Sequence, residues 1–526
     1  MGEYIELGEG EEREVGEGDE VRDGESGEVE GMKELGEEDD FTAENEVREG
    51  EEFVQENEES VSLENDRETM SSMSVPSSNK QVKYMSIDRL SALPDALLIC
   101  ILSFLSTKKA ARASILSKRW QHLWTNLPKL RFKEKSCELE KILKTVNRIH
   151  GALGIRRESY LERLYIDFHY YESFALDVDS WVEYVVKHKV KDVTLELNPQ
   201  GVLYKLPQSM YSSSCFTYLS LRGCNLVPQR NVDWKYLTVL SLNDVKLDEH
   251  VIEKILSGCP VMHFLILCQC WGLSCLKIDS PCVSELVLID REDGESEPLL
   301  EISAPHVQTL SISICPINKW RLTNISSVTH AAISLIGSDD WDADDYEVMS
   351  NLEDLVGALL HVKYLLFSHM CIEVLSMLVE MHDVQLPESR REILHVHASA
   401  DANVMSGIVA LLESSPMLQE LAISGIDLDG PPITWDVVGR SEMHGNLVHL
   451  KTVNIMDFVA VPALTGEPLL TLVQILLDKA TVLEKLEIHI EYPVSLFKTF
   501  PQIFIEISQK LLSYPRSSRK AVVLLS

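Results

Sequence analysis

Apolar residues follow two rhythms along the chain, and a long opening stretch follows neither. From Ile87 a helical spacing sets in. Leu97, Leu98, Ile101, Leu102 and Leu105 recur at the three-to-four-residue spacing of a helix and predict one wide apolar face. Pro94 and Asp95 mark its start, because proline is tolerated in the first turn and an acid suits the positive end of the helix dipole. Thr107 is placed to cap a second short helix, running from Lys108 to Leu116. Ser117 is placed to cap a third, which presents Trp120, Leu123 and Trp124 and ends at Pro128. Three short helices in about 40 residues bury little surface, so such a unit is expected to lean on a neighbour or a partner.

From about Leu161 the spacing changes. The segment Phe216 to Leu226 fits the leucine-rich-repeat template L-x-x-L-x-L-x-x-N/C-x-L at every specified position, with Phe216 for the first leucine. Looser copies centre on Leu240, Leu265, Leu286, Leu310 and Leu421, and weaker ones on Leu164, Val193, Leu365, Val453 and Leu486. Leu219, Leu240, Leu265, Leu286 and Leu310 are 21, 25, 21 and 24 residues apart, as the repeat requires. The later steps of 32 and 33 residues, from Leu421 to Val453 and on to Leu486, predict an irregular end. One such repeat cannot cover its own apolar face, so the copies must stack into a continuous core. The fold class expected is therefore α/β: parallel strands and helices in a solenoid. Cys224, Cys270 and Cys315 occupy the template's N/C position, a turn inside the stack.

Charge alters the picture at one end only. Residues 1–70 hold 29 acidic and 5 basic side chains, a balance of −24 out of the chain's −35. A run of that kind repels itself and has little to bury, so a disordered acidic tail and Ser-rich linker are expected over 1–84. The densest basic stretch, Lys129 to Lys135, is short and interrupted by Glu134, which argues against nucleic acid as a partner. No stretch approaches the ~18 consecutive apolar residues of a membrane span. Eleven scattered cysteines, an odd number, favour reduced thiols and hence the nucleus or cytoplasm.

The residues from Asp88 to Phe132 resemble the plant F-box. Leu93-Pro94-Asp95, Ile101-Leu102-Ser103-Phe104-Leu105, Leu116-Ser117-Lys118-Arg119-Trp120 and Trp124 stand in that family's order and spacing. The rest is similar to the plant F-box/leucine-rich-repeat group that ends in an FBD domain, carried by segments at Ile255–Leu267, Leu411–Ile423 and Asn446–Phe458 and those that follow. The resemblance implies an F-box over 85–132, a solenoid over 150–440 and an FBD-like region over 445–525 that caps it. It implies that the chain recruits a protein target to a ubiquitin ligase by docking on a Skp-type adaptor, which tethers it to a cullin and its RING subunit. Leu93, Pro94, Leu97, Ile101, Leu102 and Leu105 are the matching adaptor-facing or interface-supporting residues of the first segment. Leu116, Ser117, Trp120 and Trp124 match in the last helix. Apolar side chains beyond what three helices can bury agree with an interface, although about half of them should pack on one another. An interaction scaffold that drives no ubiquitination is the alternative.

Catalytic and cofactor signatures fail on inspection. Asp340-Trp341-Asp342-Ala343-Asp344 opens like a calcium loop, but Asp345 stands at the turn glycine and Asn351 at the bidentate glutamate, so a solvated acidic loop is expected. Cys259, Cys268, Cys270, Cys275 and Cys282 lack paired zinc spacing and read as structural thiols. His395 and His397 would share one face of a strand without an evident third ligand. No phosphate loop, nucleophile elbow or zinc-protease motif occurs, so neither enzyme activity nor a cofactor is expected.

Overall fold

A computed structural model describes residues 93–113, 119–156, 160–291, 299–336, 346–382, 384–398, 404–425, 443–459, 467–491 and 501–525. The acidic tail, the calcium-like loop at Asp340–Asp344, and Leu116 and Ser117 lie outside them. Helix α1 spans Asp95–Ser103, with Pro94 just outside as its N-cap residue, and α2 spans Thr107–Ala113. The cap of α2 differs from expectation. Ser106 Oγ accepts from the Lys109 N–H at 3.3 Å, whereas Thr107 Oγ1 accepts from the Arg131 N–H at 2.9 Å. The third helix is a 3₁₀ helix, Trp120–Asn126.

The repeat pattern is a single sheet of fifteen parallel strands in chain order. Its inward rungs form a ladder: Leu130, Leu164, Val193, Leu219, Leu240, Leu265, Leu286, Leu310, Ala331, Leu365, Leu394, Leu421, Val453, Leu486 and Val523. All but Val523 are buried. Every repeat centre read from the sequence is a rung. Leu130, Ala331, Leu394 and Val523 were not read, and Ala331 shows why: it fills a rung without an apolar side chain large enough to stand out.

Repeat length decides what backs the sheet. Where rungs are 21 to 24 residues apart, from Leu265 to Ala331, the back layer is the three short strands Cys275–Lys277, Leu300–Ser303 and Trp320–Thr323. Longer steps carry helices, among them Glu249–Gly258, Tyr346–Ala358, His369–His382, Met405–Glu413 and Glu467–Lys479. A helix rises about 1.5 Å per residue against about 3.3 Å for a strand, so covering the same back takes more chain. The late irregularity is thus a change of backing within a sheet that continues. Strands leave the sheet through a left-handed residue at matched positions, Gly223, Asp244 and Gln269, with φ of 65°, 50° and 52°. At Gly223 a Cβ would meet the Leu197 carbonyl oxygen at 1.9 Å, so only glycine fits there.

The two ends carry findings about boundaries. Residues 445–525 contribute three strands, Thr452–Val459, Lys485–Glu491 and Val522–Leu525, to the same sheet. At the other end, β1 (Lys129–Lys133) belongs to the F-box-like stretch, yet it pairs in parallel with β2 (Arg163–Tyr170) as the first strand of the solenoid. Leu127, Leu130 and Phe132 are buried at this junction, and the Arg156 guanidinium donates to the Leu127 carbonyl at 2.7 Å.

Candidate functional site

Helix α1 holds more apolar residues than one face can bury. Leu98 and Leu102 point inward and are fully buried, and Leu123 and Trp120 are buried with them. Leu97, Ile101, Leu105 and Phe104 remain exposed, at 51%, 39%, 41% and 84%. Leu93 and Trp124 are half-buried and Pro94 is exposed. Of the ten expected contact residues, eight are therefore described. Leu102 and Trp120 among them are buried, so they can support a surface but cannot form its outer face. The stretch leans on the solenoid through β1, as a small unit must, but the α1 side is left uncovered.

Arg119 joins the two ends of this unit. Its Nε donates to Asp95 Oδ1 at 2.8 Å, and its Nη2 donates to the same oxygen and to the Leu93 carbonyl. The Leu93-Pro94-Asp95 start and the Arg119-Trp120 signature, 24 residues apart, thus hold one another, and α1 is fixed at its N-terminus. Neither this clamp nor Phe104 was singled out from the sequence. Charge complementarity between Asp95 and Arg119 was the available signal for the first. Phe104 sits just past the helix end, where helical periodicity no longer assigns a face.

The outward face of the sheet is the second candidate surface. At its N-terminal edge it is charged: Lys133 pairs with Asp167 at 3.6 Å, and the Arg131 guanidinium stacks 4.5 Å from the Tyr165 ring centre. Glu196 accepts from Ser220 Oγ at 3.0 Å, and burial raises its carboxyl above the ordinary value. In the middle the outward row mixes apolar and small polar residues, with Ser241, Ile266, Val287, Ser311, Ala332 and Leu366 on successive strands. His395 and His397 lie side by side on it, 5.0 Å between ring centres. The His395 Nε2 is 2.8 Å from Ser424 Oγ, and burial, followed by the neighbouring His397, lowers its pKa.

Of the five cysteines read as structural thiols, Cys259 is buried, Cys268, Cys270 and Cys275 are half-buried, and Cys282 is exposed. None of the eleven cysteines forms a disulfide. Cys224, in the short strand Cys224–Asn225, and Cys315 are buried, and Cys270 Sγ donates to the Leu242 carbonyl at 3.5 Å. Burial pushes the Cys259 thiol up to about 12 and the Cys268 and Cys371 thiols up to about 11. A thiol so raised is a poor nucleophile or ligand. Among the described residues no group of three His, Cys, Asp or Glu is placed to hold a metal, and no helix is long and apolar enough to cross a membrane.

A parallel-sheet solenoid with a short helical head fused to its first strand is a repeat protein built for binding. Sequence comparison makes the class specific. The F-box domain profile matches residues 90–132, and the profile described as "At1g61320/AtMIF1, LRR domain" matches residues 150–499. The F-box/LRR-repeat protein At3g03360 of Arabidopsis thaliana is 26% identical over 471 residues, covering 84% of this chain and 91% of that one. F-box/LRR-repeat protein 25 of the same plant is 32% identical over 233 residues, covering 43% of this chain and 86% of its own. The F-box/LRR-repeat protein At5g02910 is 29% identical over 344 residues, 64% of this chain and 72% of that one. The chain belongs to the plant F-box/LRR-repeat family.

Proposed function

We propose that this protein is the substrate-recruiting subunit of a Skp–cullin–F-box ubiquitin ligase. The F-box docks on a Skp-type adaptor, and the outward face of the repeat sheet holds a protein target near the reactive thioester of the assembled ligase. Its contribution is proximity, with the chemistry done elsewhere in the complex. The observation that supports this reading is the exposed apolar side of α1. Leu97 and Ile101 project from a helix whose other side is already packed, and the exposed Phe104 and Leu105 follow just past its end. Exposed leucine and aromatic side chains grouped on a rigid element are the anchors of protein interfaces. Residues 445–525 are assigned to an FBD-like region that continues the stack, and the free thiols fit action in the nucleus or cytoplasm.

The test is pull-down of a Skp-type adaptor by the full chain and by the double variant Ile101→Asp, Phe104→Asp. Both positions face water, so the variant should fold, which circular dichroism checks. Capture should fall at least a hundredfold. Capture at the wild-type level would overturn the docking assignment. Leu102→Asp is unsuitable for the purpose, because a charge at a fully buried position unfolds the head whatever binds it.

A further inference from the structure

A basic island stands in this acidic chain. Between Ala96 and Lys133 there are eight Lys and Arg and no Asp or Glu, within a protein of net charge −35. The last of these cations lie on the edge strand β1. There the alternation of a strand puts Lys129, Arg131 and Lys133 on the outward face and Leu130 and Phe132 in the core. Lys135, two residues on, is also exposed. Glu134 interrupts the row in sequence but not on the surface. It turns to the backing helix Leu139–Ile155, where its carboxylate accepts from the Thr145 hydroxyl at 3.3 Å and lies 3.7 Å from the Arg148 guanidinium.

The acids on the neighbouring strands do not cancel the row. Asp167 on β2 pairs with Lys133 at 3.6 Å, and Asp192 on the next strand pairs with Arg163 at 3.1 Å. These two carboxylates show only 14% and 18% of their side chains to water, against 39% and 53% for their partners. Glu196, opposite Asp167, accepts from Ser220, and burial favours its neutral form. The carboxylates thus lie recessed and the cations project. Edge lysines can serve only to guard a sheet against stray strand pairing. Here α2 already covers the edge of β1, with Thr107 taking the Arg131 N–H, so a guard is not the row's whole use.

We propose that this row is a docking strip for an extended, Glu- and Asp-rich segment of the target protein. The inference rests on the outward face being the target surface and names the kind of target it takes. Alternate residues of a strand are about 6.6 Å apart, so Lys129 to Lys135 set out four charges over about 20 Å. An extended peptide repeats its side chains at the same interval. Acidic residues at every second position therefore meet the row one to one, with the residues between them turned away. Phosphate groups are held best by paired guanidinium forks. This row offers three ammonium groups and one guanidinium already lying over the Tyr165 ring, which suits carboxylates better. Exposed pairs of this kind are individually weak and screened by salt, so the strip selects and orients a target that the rest of the face holds.

Fluorescence anisotropy with the full chain tests this, using a labelled twelve-residue peptide that alternates Glu and Ser. It should bind at low salt and be released at about 0.5 M sodium chloride. A peptide of six Glu followed by six Ser should bind about threefold more weakly, and one alternating Lys and Ser should not bind. Lys129→Gln with Lys133→Gln and Lys135→Gln should weaken the alternating peptide about thirtyfold, at about threefold for each exposed pair. All three side chains face water, so this variant should fold and still capture the Skp-type adaptor through α1 at the wild-type level. Adaptor capture that fails in the wild type while the peptide binds overturns the ligase reading and leaves the strip standing. The strip is overturned by no saturable peptide binding in the wild type, by equal affinity in the triple variant, or by equal affinity for the alternating and block peptides. Tighter binding of an oligonucleotide of equal charge would assign the strip to nucleic acid and overturn the peptide. Carbodiimide cross-links from Lys129, Lys133 or Lys135 to carboxylates of residues 1–70, in place of the added peptide, would overturn the target as occupant.

Discussion

Two helices of nearly equal length show how differently this chain spends apolar residues. The repeat helix Glu249–Gly258 buries Val251, Ile252 and Ile255 on one side and turns charged or polar groups to water on the other. Asp248 caps it, its carboxylate accepting from the Val251 N–H at 2.8 Å. Helix α1 of the F-box is apolar from Ala96 to Leu102, buries only Leu98 and Leu102, and has no side-chain cap. The first helix carries what its own stack needs. The second carries a surplus, and a surplus held on a fixed helix next to a closed core is the physical mark of a surface meant for another protein.

The comparison can be broken at several points. The largest effect should come where the two helices agree. Leu102→Ala and Ile252→Ala each remove a buried side chain and should each cost about 3 kcal/mol in urea denaturation. If Leu102→Ala proves neutral, the F-box core is not packed as described. Next come the positions where the helices differ. Leu97→Ala or Ile101→Ala should leave stability within about 1 kcal/mol and weaken adaptor binding by about 1–2 kcal/mol, read by titration calorimetry. Equivalent changes to exposed residues of the repeat helix should alter neither. Smaller again are the ends: Asp248→Ala should cost about 1 kcal/mol as a lost cap. Asp95→Ala breaks an exposed pair with Arg119 and should cost less than about 1 kcal/mol.

The smallest effect is pH-dependent and confined to the repeat helix. Glu249 Oε1 accepts from the Ser274 hydroxyl and from the Ser274 and Cys275 N–H groups, and those hydrogen bonds hold its carboxyl down to about 2. A depressed carboxylate contributes stability above its unfolded value of about 4.3 and loses it as pH falls toward about 2. The protection of the Ser274 and Cys275 amides, taken relative to their intrinsic exchange at each pH, should therefore fall as the solution is acidified below about pH 4. Glu249→Gln should show the lower protection already at neutral pH and no further loss of protection on acidification. Protection that is the same in both proteins across this range would show that the contact adds nothing.

Most of the solenoid was legible because its requirement is local and repeated. Each strand needs an apolar residue at the rung, and Leu164, Val193, Leu365, Val453 and Leu486 declared themselves even where the rest of the template was lost. What escaped was set by three-dimensional neighbours. Ala331 and Leu130 are rungs only because flanking strands place them there, and Thr107 looked like a cap until β1 took its hydroxyl. In the F-box, spacing marked the apolar residues of α1 but could not tell Leu102, which faces in, from Ile101, which faces out. Arg391, fully buried two positions before the strand Ile393–His397, was invisible for the opposite reason: a charged residue does not match the template, so the position was passed over instead of being read as an exception.

The fusion of the F-box to the sheet through β1 has a geometric consequence. Because β1 of the F-box stretch is itself the first strand of the sheet, strand number becomes a ruler. Adjacent strands sit about 4.8 Å apart, so fifteen of them graduate about 67 Å of arc from the F-box outward. A target gripped near Phe264 would be presented at one distance from the ligase, and one gripped near His395 some 25 Å farther along the arc, at about 4.8 Å per strand. Which lysines fall within reach of ubiquitin would then depend on where along the scale the target is seated, as well as on how tightly it is held.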